Sequence, residues 1–197
     1  MRKESLVHKI VRLSIFLALG IVLNIIESSI PLPIAIPGIR LGLANTMGLI
    51  VLYYYSPKEY VAIGFLRIFF VALFRTGLGS VSSFMSLAGW LVSTGVTLLI
   101  YLFKRTSIYG LSVISAMFHQ VGQIVMVIIL YNTPEFVNYL PVLLISGAIS
   151  GVLVAFLTSK ILSLLNKICL WKVAQVKYII FYVILLFFHK CVDFLKK

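Results

Sequence analysis

His119, Gln120 and Gln123 form the densest group of hydrogen-bonding side chains inside any apolar run of this 197-residue chain. At helical spacing, positions 119 and 123 share a face one turn apart. Gly122 between them admits close approach by another helix or a ligand. An imidazole beside two amides can bind a polar solute or close a structural hydrogen-bond network. It has no nucleophile or carboxylate beside it in sequence, so no catalytic set is expected. Arg67 sits inside the apolar stretch FLRIFF. An ionisable side chain in hydrocarbon costs about 2.5–3.5 kcal/mol on insertion scales, so Arg67 should face the interior and find an acceptor there. Glu27 and the amides Asn24, Asn45, Gln120 and Gln123 are the acceptors available. Arg67 is then a ligand group, half of a structural pair, or both. Arg40 precedes the second apolar run and Arg75 ends the third. Arg75 can complement the negative end of its helix, or the two can rim an outward-facing cavity for an anionic solute.

Equally informative is what is missing. The acidic residues are Glu4, Glu27, Glu59, Glu135 and Asp193. Prenyl and phosphoryl transferases hold Mg²⁺ with clustered carboxylates, and one aspartate cannot form a DDxxD motif. His8, His119 and His189 lie far apart, and Cys169 and Cys191 make no CxxC, so neither a metal site nor a redox pair is expected. There is no GxxxxGK[ST] phosphate loop, and no cofactor is expected.

The chain that must position these residues is 61% hydrophobic and 11% charged, against about 45–50% and about 25% in soluble domains. A soluble chain of this length could not bury so much apolar surface. The net charge of +12 has no soluble basic face to carry it, which also argues against a nucleic-acid binder. The apolar runs are continuous rather than alternating, which favours transmembrane helices over a barrel. The expected fold is all-α, a polytopic bundle of six spans over residues 10–26, 41–55, 60–74, 84–103, 108–131 and 137–165. A Pro-rich loop holding Pro31, Pro33, Pro37 and Gly38 separates the first two. With the N-terminus cytoplasmic, most lysines and arginines fall inside and only Arg40 and Arg75 outside, as the positive-inside rule requires. Residues 1–168 would be one membrane domain. The basic, aromatic tail 169–197 has an apolar core over 178–188, about 17 Å long as a helix. It reads as an interfacial helix or a short seventh span. Ser14 and Ala18 in the first span, and Ser86, Gly89 and Ser93 in the fourth, make small-residue faces for close helix packing. Such a face serves either the fold itself or a partner membrane subunit.

The run ESSIPLPIAIPGIRLGLAN, from Glu27 to Asn45, resembles the signature of the Gx transporter family, also labelled heptaprenyl diphosphate synthase component I. FLRIFF around Arg67 and AMFHQVGQ at 116–123 look similar too, although Gln120 stands where an Asn is expected. The resemblance covers roughly residues 10–168. It implies a relationship to the substrate-binding S components of energy-coupling-factor transporters. These are six-helix proteins that capture a solute from outside and pair with a transmembrane coupling subunit and two ATPases. A pocket would then be lined by Glu27, Asn45, Arg67, His119 and Gln123, with Gln120, Arg40 and Arg75 nearby. Residues 30–40 would form a lid, and Ser14 and Ala18 would meet the coupling subunit. The other label implies a non-catalytic membrane accessory to a prenyltransferase in isoprenoid or quinone synthesis. A membrane scaffold without a small ligand is the third reading.

Overall fold

A computed structural model describes residues 6–29, 42–103 and 106–169. The chain divides into two compact units, Met1–Ser159 and Lys160–Lys197. The described part of the second is the end of its last helix. Arg40, the Pro-rich loop and the tail beyond Cys169 lie outside the described residues.

Among the described residues there is no strand, and six α-helices follow in order. They are α1 (Leu6–Ser29), α2 (Leu43–Tyr54), α3 (Pro57–Val71), α4 (Val81–Leu102), α5 (Ile108–Tyr131) and α6 (Leu140–Cys169). Four described segments are long and apolar enough to cross a membrane: Leu6–Glu27, Val81–Leu102, Ile108–Tyr131 and Pro134–Leu165. Their outer faces are apolar: Ile129, Ile145 and Ile149 are 67%, 64% and 67% exposed. That is the pattern of a surface solvated by lipid rather than water.

The other two helices are of a different kind. With 12 residues, α2 is about 18 Å long. It is buried on nearly every side, with Ile50, Val51 and Leu52 fully enclosed. A helix apolar all round is covered by protein or by lipid; α2 is covered by protein and packs against α1 and α3. Leu49 and Leu52 join Tyr60, Leu111 and Val154 in the core. α3 runs on through a π-helical turn, Ala72–Thr76, to Gly77 at φ 84°. This stretch carries Lys58, Glu59, Arg67 and Arg75, which interrupt its apolar character.

Local signals set the boundaries. Pro57 opens α3, where its missing N–H is not needed. Ser80 and Ser107 cap α4 and α5 by accepting from the N–H groups of Ser83 and Gly110. Asn132, at φ 51°, ends α5 in the left-handed conformation. The sixth expected span begins instead as a 3₁₀ segment, Pro134–Tyr139, before α6.

Small residues bring the helices together. A Cβ on Gly122 would lie 2.7 Å from the Ala88 carbonyl oxygen and 2.8 Å from the Gly89 Cα, so α4 and α5 cross in backbone contact. Beside this crossing, Ser93 and Ser115 share a 2.8 Å hydrogen bond. A Cβ on Gly151 would lie 2.6 Å from the Val113 Cα, and the Ser112 hydroxyl donates to the Gly151 carbonyl at 2.7 Å, joining α5 to α6.

Candidate functional site

The first turn of α2 gathers the polar interior. Gly42, at its N-cap, has φ 74° and provides no side chain to cap the helix. Glu27, near the end of α1, does so from across the interface. Its carboxylate accepts from the Gly42 N–H at 2.6 Å and the Leu43 N–H at 3.1 Å. An anion at a helix N-terminus is favoured by the dipole as well as by the hydrogen bonds. From the other side, Arg67 of α3 donates through Nη1 to the Ala44 carbonyl at 2.5 Å and through Nη2 to Asn45 Oδ1 at 2.9 Å. Asn45 is thus one of the acceptors anticipated for Arg67; the Ala44 carbonyl, a backbone group that no side-chain pattern reveals, was not among them. Gly20 of α1 lies beside the arginine stem: a Cβ there would sit 3.4 Å from Arg67 Cδ, an ordinary van der Waals contact.

These groups line a cavity of about 60 Å³, room for about four waters. His119, Gln120 and Gln123 of α5 add to its polar wall, as do Asn24 of α1 and the hydroxyls of Thr76, Ser83, Ser86 and Ser150. The His119 ring and the Gln123 amide meet at 3.2 Å between Nε2 atoms. Gln120 and Gln123 are both buried, and the Oε1 of each lacks a protein partner. A second cavity of about 40 Å³ shares Arg67, Asn45 and His119 with the first and reaches toward Trp90 and Ser93.

Six anticipated site residues therefore line one cavity: Glu27, Asn45, Arg67, His119, Gln120 and Gln123. Arg75 does not join them; it is exposed on the π-helical turn and lines neither cavity. Ser14 and Ala18 lie exposed on α1. Trp90 was not anticipated. It is buried in the wall of the smaller cavity, against Gly64, and its Nε1 has no protein partner. Only the pairing of a large residue with a glycine on another helix could have signalled it. Among the described residues, no group of three His, Cys, Asp or Glu side chains could hold a metal ion.

A separate ionic contact lies at the other end of α1. Lys9 pairs with Glu59, which also accepts from the Ser56 hydroxyl. These hydrogen bonds, the lysine's foremost, hold the Glu59 carboxyl down at about 2. Lys9 and Glu27 are 18 positions apart on α1, about 27 Å along its axis. The two carboxylates therefore cannot act on one ligand.

The family model described as heptaprenyl diphosphate synthase component I matches residues 16–161, which take in α1 from Phe16 through most of α6. No curated protein and no solved structure matches the chain significantly.

Proposed function

The chain belongs to the heptaprenyl diphosphate synthase component I family, and from that membership we propose that it is the membrane component of such a synthase, non-catalytic by itself. Prenyl transfer would be carried out by a partner prenyltransferase subunit. The family match over residues 16–161 carries this reading. The distribution of carboxylates supports it: Glu27 caps α2, Glu59 pairs with Lys9, and the two stand far apart. The product of such a synthase carries a long apolar chain, which a membrane subunit can receive where water cannot. Affinity purification of the full chain in native lipid tests the assignment. It should recover a prenyltransferase whose long-chain synthesis falls when this chain is withdrawn. A partner that neither associates nor responds would sink the proposal.

The interior cavity favours a second reading. A six-span S-component-like bundle, with both ends cytoplasmic, would bind a small solute among Glu27, Asn45, Arg67, His119, Gln120 and Gln123, with Arg40 and Arg75 toward its rim. Ser14 and Ala18, exposed on α1, would meet a transmembrane coupling subunit energised by ATPases. Recovery of those subunits in the same purification, in place of a prenyltransferase, selects this reading.

A further inference from the structure

The two cavities adjoin, since Asn45, Arg67 and His119 belong to the walls of both, yet they differ in chemistry. The larger is polar. Besides those three side chains it holds Glu27 and the hydroxyls of Thr76 and Ser83, which bond each other at 2.6 Å. Its ionised groups are engaged with protein: Glu27 accepts two backbone N–H groups, and Arg67 donates to Ala44 and Asn45. Their unit charges are opposite, so together they present no net charge for a ligand to neutralise. The smaller cavity has an apolar and aromatic side formed by Phe16, Leu17, Met47, Ile63 and Trp90. The serines in its wall are engaged with protein. Ser93 and Ser115 bond each other at 2.8 Å, and Ser112 and Ser150 donate to the Gly151 and Gly147 carbonyls at 2.7 and 2.9 Å. A water needs about two to four polar partners, which the larger space supplies and the apolar side of the smaller does not.

We propose that the two cavities together take one small amphiphile, with a polar head of no net charge in the larger and an apolar or aromatic tail in the smaller, against the Trp90 ring. This rests on the second reading above, that the interior holds a solute, and it replaces the anion that the arginines alone suggest. A wholly polar solute would leave the Phe16, Met47 and Trp90 side of the smaller space unfilled. A wholly apolar one would strip water from the Glu27 and Arg67 side of the larger without replacing its hydrogen bonds. A head of either net charge would meet a like charge on one wall, at Glu27 or at Arg67. Volumes of about 60 and 40 Å³ suit a molecule of roughly seven non-hydrogen atoms, counting one for each water the spaces could hold.

Bromine quenches indole emission on near contact, so a brominated tail reports on Trp90. The chain has two tryptophans, and Trp171→Phe leaves Trp90 as the emitter. In lipid nanodiscs the full chain with this substitution is titrated with pentanol, pentanoate and hexane, each brominated at the chain end. These probes are similar in length and carry an uncharged head, an anionic head and no head. Bromopentanol should quench saturably, in the millimolar range expected of so small a ligand. Bromopentanoate should bind at least about tenfold more weakly, and bromohexane should give only the linear quenching of collisions from lipid. Met47→Phe adds bulk to the smaller cavity and Ser86→Leu to the larger, and each should abolish the saturable quenching by bromopentanol. If Met47→Phe lowers the unfolding temperature, Ser86→Leu decides, because it leaves the surroundings of Trp90 unaltered. Quenching that survives Ser86→Leu would confine the probe to the smaller cavity and overturn the joint site. Bromohexane saturating like bromopentanol would overturn the polar head. Bromopentanoate binding as tightly as bromopentanol, and lost in Ser86→Leu, would keep the solute site but overturn the uncharged class. Saturation by none of the three would leave the cavities to water and overturn the solute site itself.

Discussion

Replacing Glu27 should loosen the N-terminal turn of α2 specifically. The carboxylate makes two hydrogen bonds to backbone N–H groups, at 2.6 and 3.1 Å, and is itself only 6% exposed. Bonds to a charged group contribute about 1.5–3 kcal/mol each, so Glu27→Ala could cost as much as about 6 kcal/mol. The adjoining cavity can admit water to the freed N–H groups, which brings the expected loss to about 2–4 kcal/mol. Glu27→Gln keeps one carbonyl acceptor but loses the second oxygen and the charge facing the helix dipole, about 1–2 kcal/mol. Hydrogen exchange of the intact protein in nanodiscs reads the effect locally. Amides 42–46 should exchange faster in the order Ala, Gln, wild type, about tenfold for each 1.4 kcal/mol. Those of Ile50–Leu52, enclosed in the core, should change less. If both variants exchange and unfold like the wild type, Glu27 does not cap α2. Equal effects of Ala and Gln would assign the interaction to charge rather than to the two-oxygen geometry.

Arg67→Lys keeps the charge but loses the fork that reaches both Ala44 and Asn45, and it should cost about 1–3 kcal/mol. A double-mutant cycle with Asn45→Ala should reveal coupling of about 1 kcal/mol or more, and strict additivity would deny the contact. Glu59 is held at about 2, below its unfolded value, so its contribution is complete at neutral pH, declines below about 4.5 and is gone below about 2. Screening limits it to about 1 kcal/mol. The stability gap between wild type and Glu59→Gln, followed by unfolding from pH 6 downward, should therefore close with acid. Gly122→Ala, whose Cβ meets backbone on α4, should destabilise by about 1–3 kcal/mol. Gly95→Ala, with nothing within 4 Å of its Cβ, should be neutral or up to about 1 kcal/mol stabilising in the same unfolding assay.

The long apolar helices were legible because their apolar runs are continuous and long enough to cross a bilayer. Arg67 and the pair His119 and Gln123 were legible as interior groups because polar side chains in lipid have few alternatives. What each would bond to was less accessible. The 15 positions between Glu27 and Gly42 carry no spacing signal, so Glu27 suggested a ligand group rather than a helix cap. Asn45 could be named as an acceptor for Arg67, whereas the Ala44 carbonyl belongs to the backbone. α2 suggested a short span because composition does not distinguish a face covered by protein from one covered by lipid. The π-helical turn has no compositional mark at all. These gaps have one origin: tertiary partners, not local sequence, decide where a buried polar atom finds its complement.

The enclosure of α2 bears on how the protein enters a bilayer. At about 18 Å, α2 is too short to cross a hydrocarbon layer of about 30 Å, and alone it would be a poor insertion signal. The stretch from Pro57 to Thr76 is penalised in turn by the charge of Arg67. α2 offsets that penalty, since the guanidinium is satisfied by the Ala44 carbonyl and the Asn45 side chain, and α3 in turn covers part of the surface of α2. A nascent chain arrested before Arg67 emerges should leave α2 uncommitted and open to extraction from the membrane. Once α3 follows, the two segments can partition together as a hairpin. Biogenesis would then hinge on a step of joint entry that neither helix could complete alone.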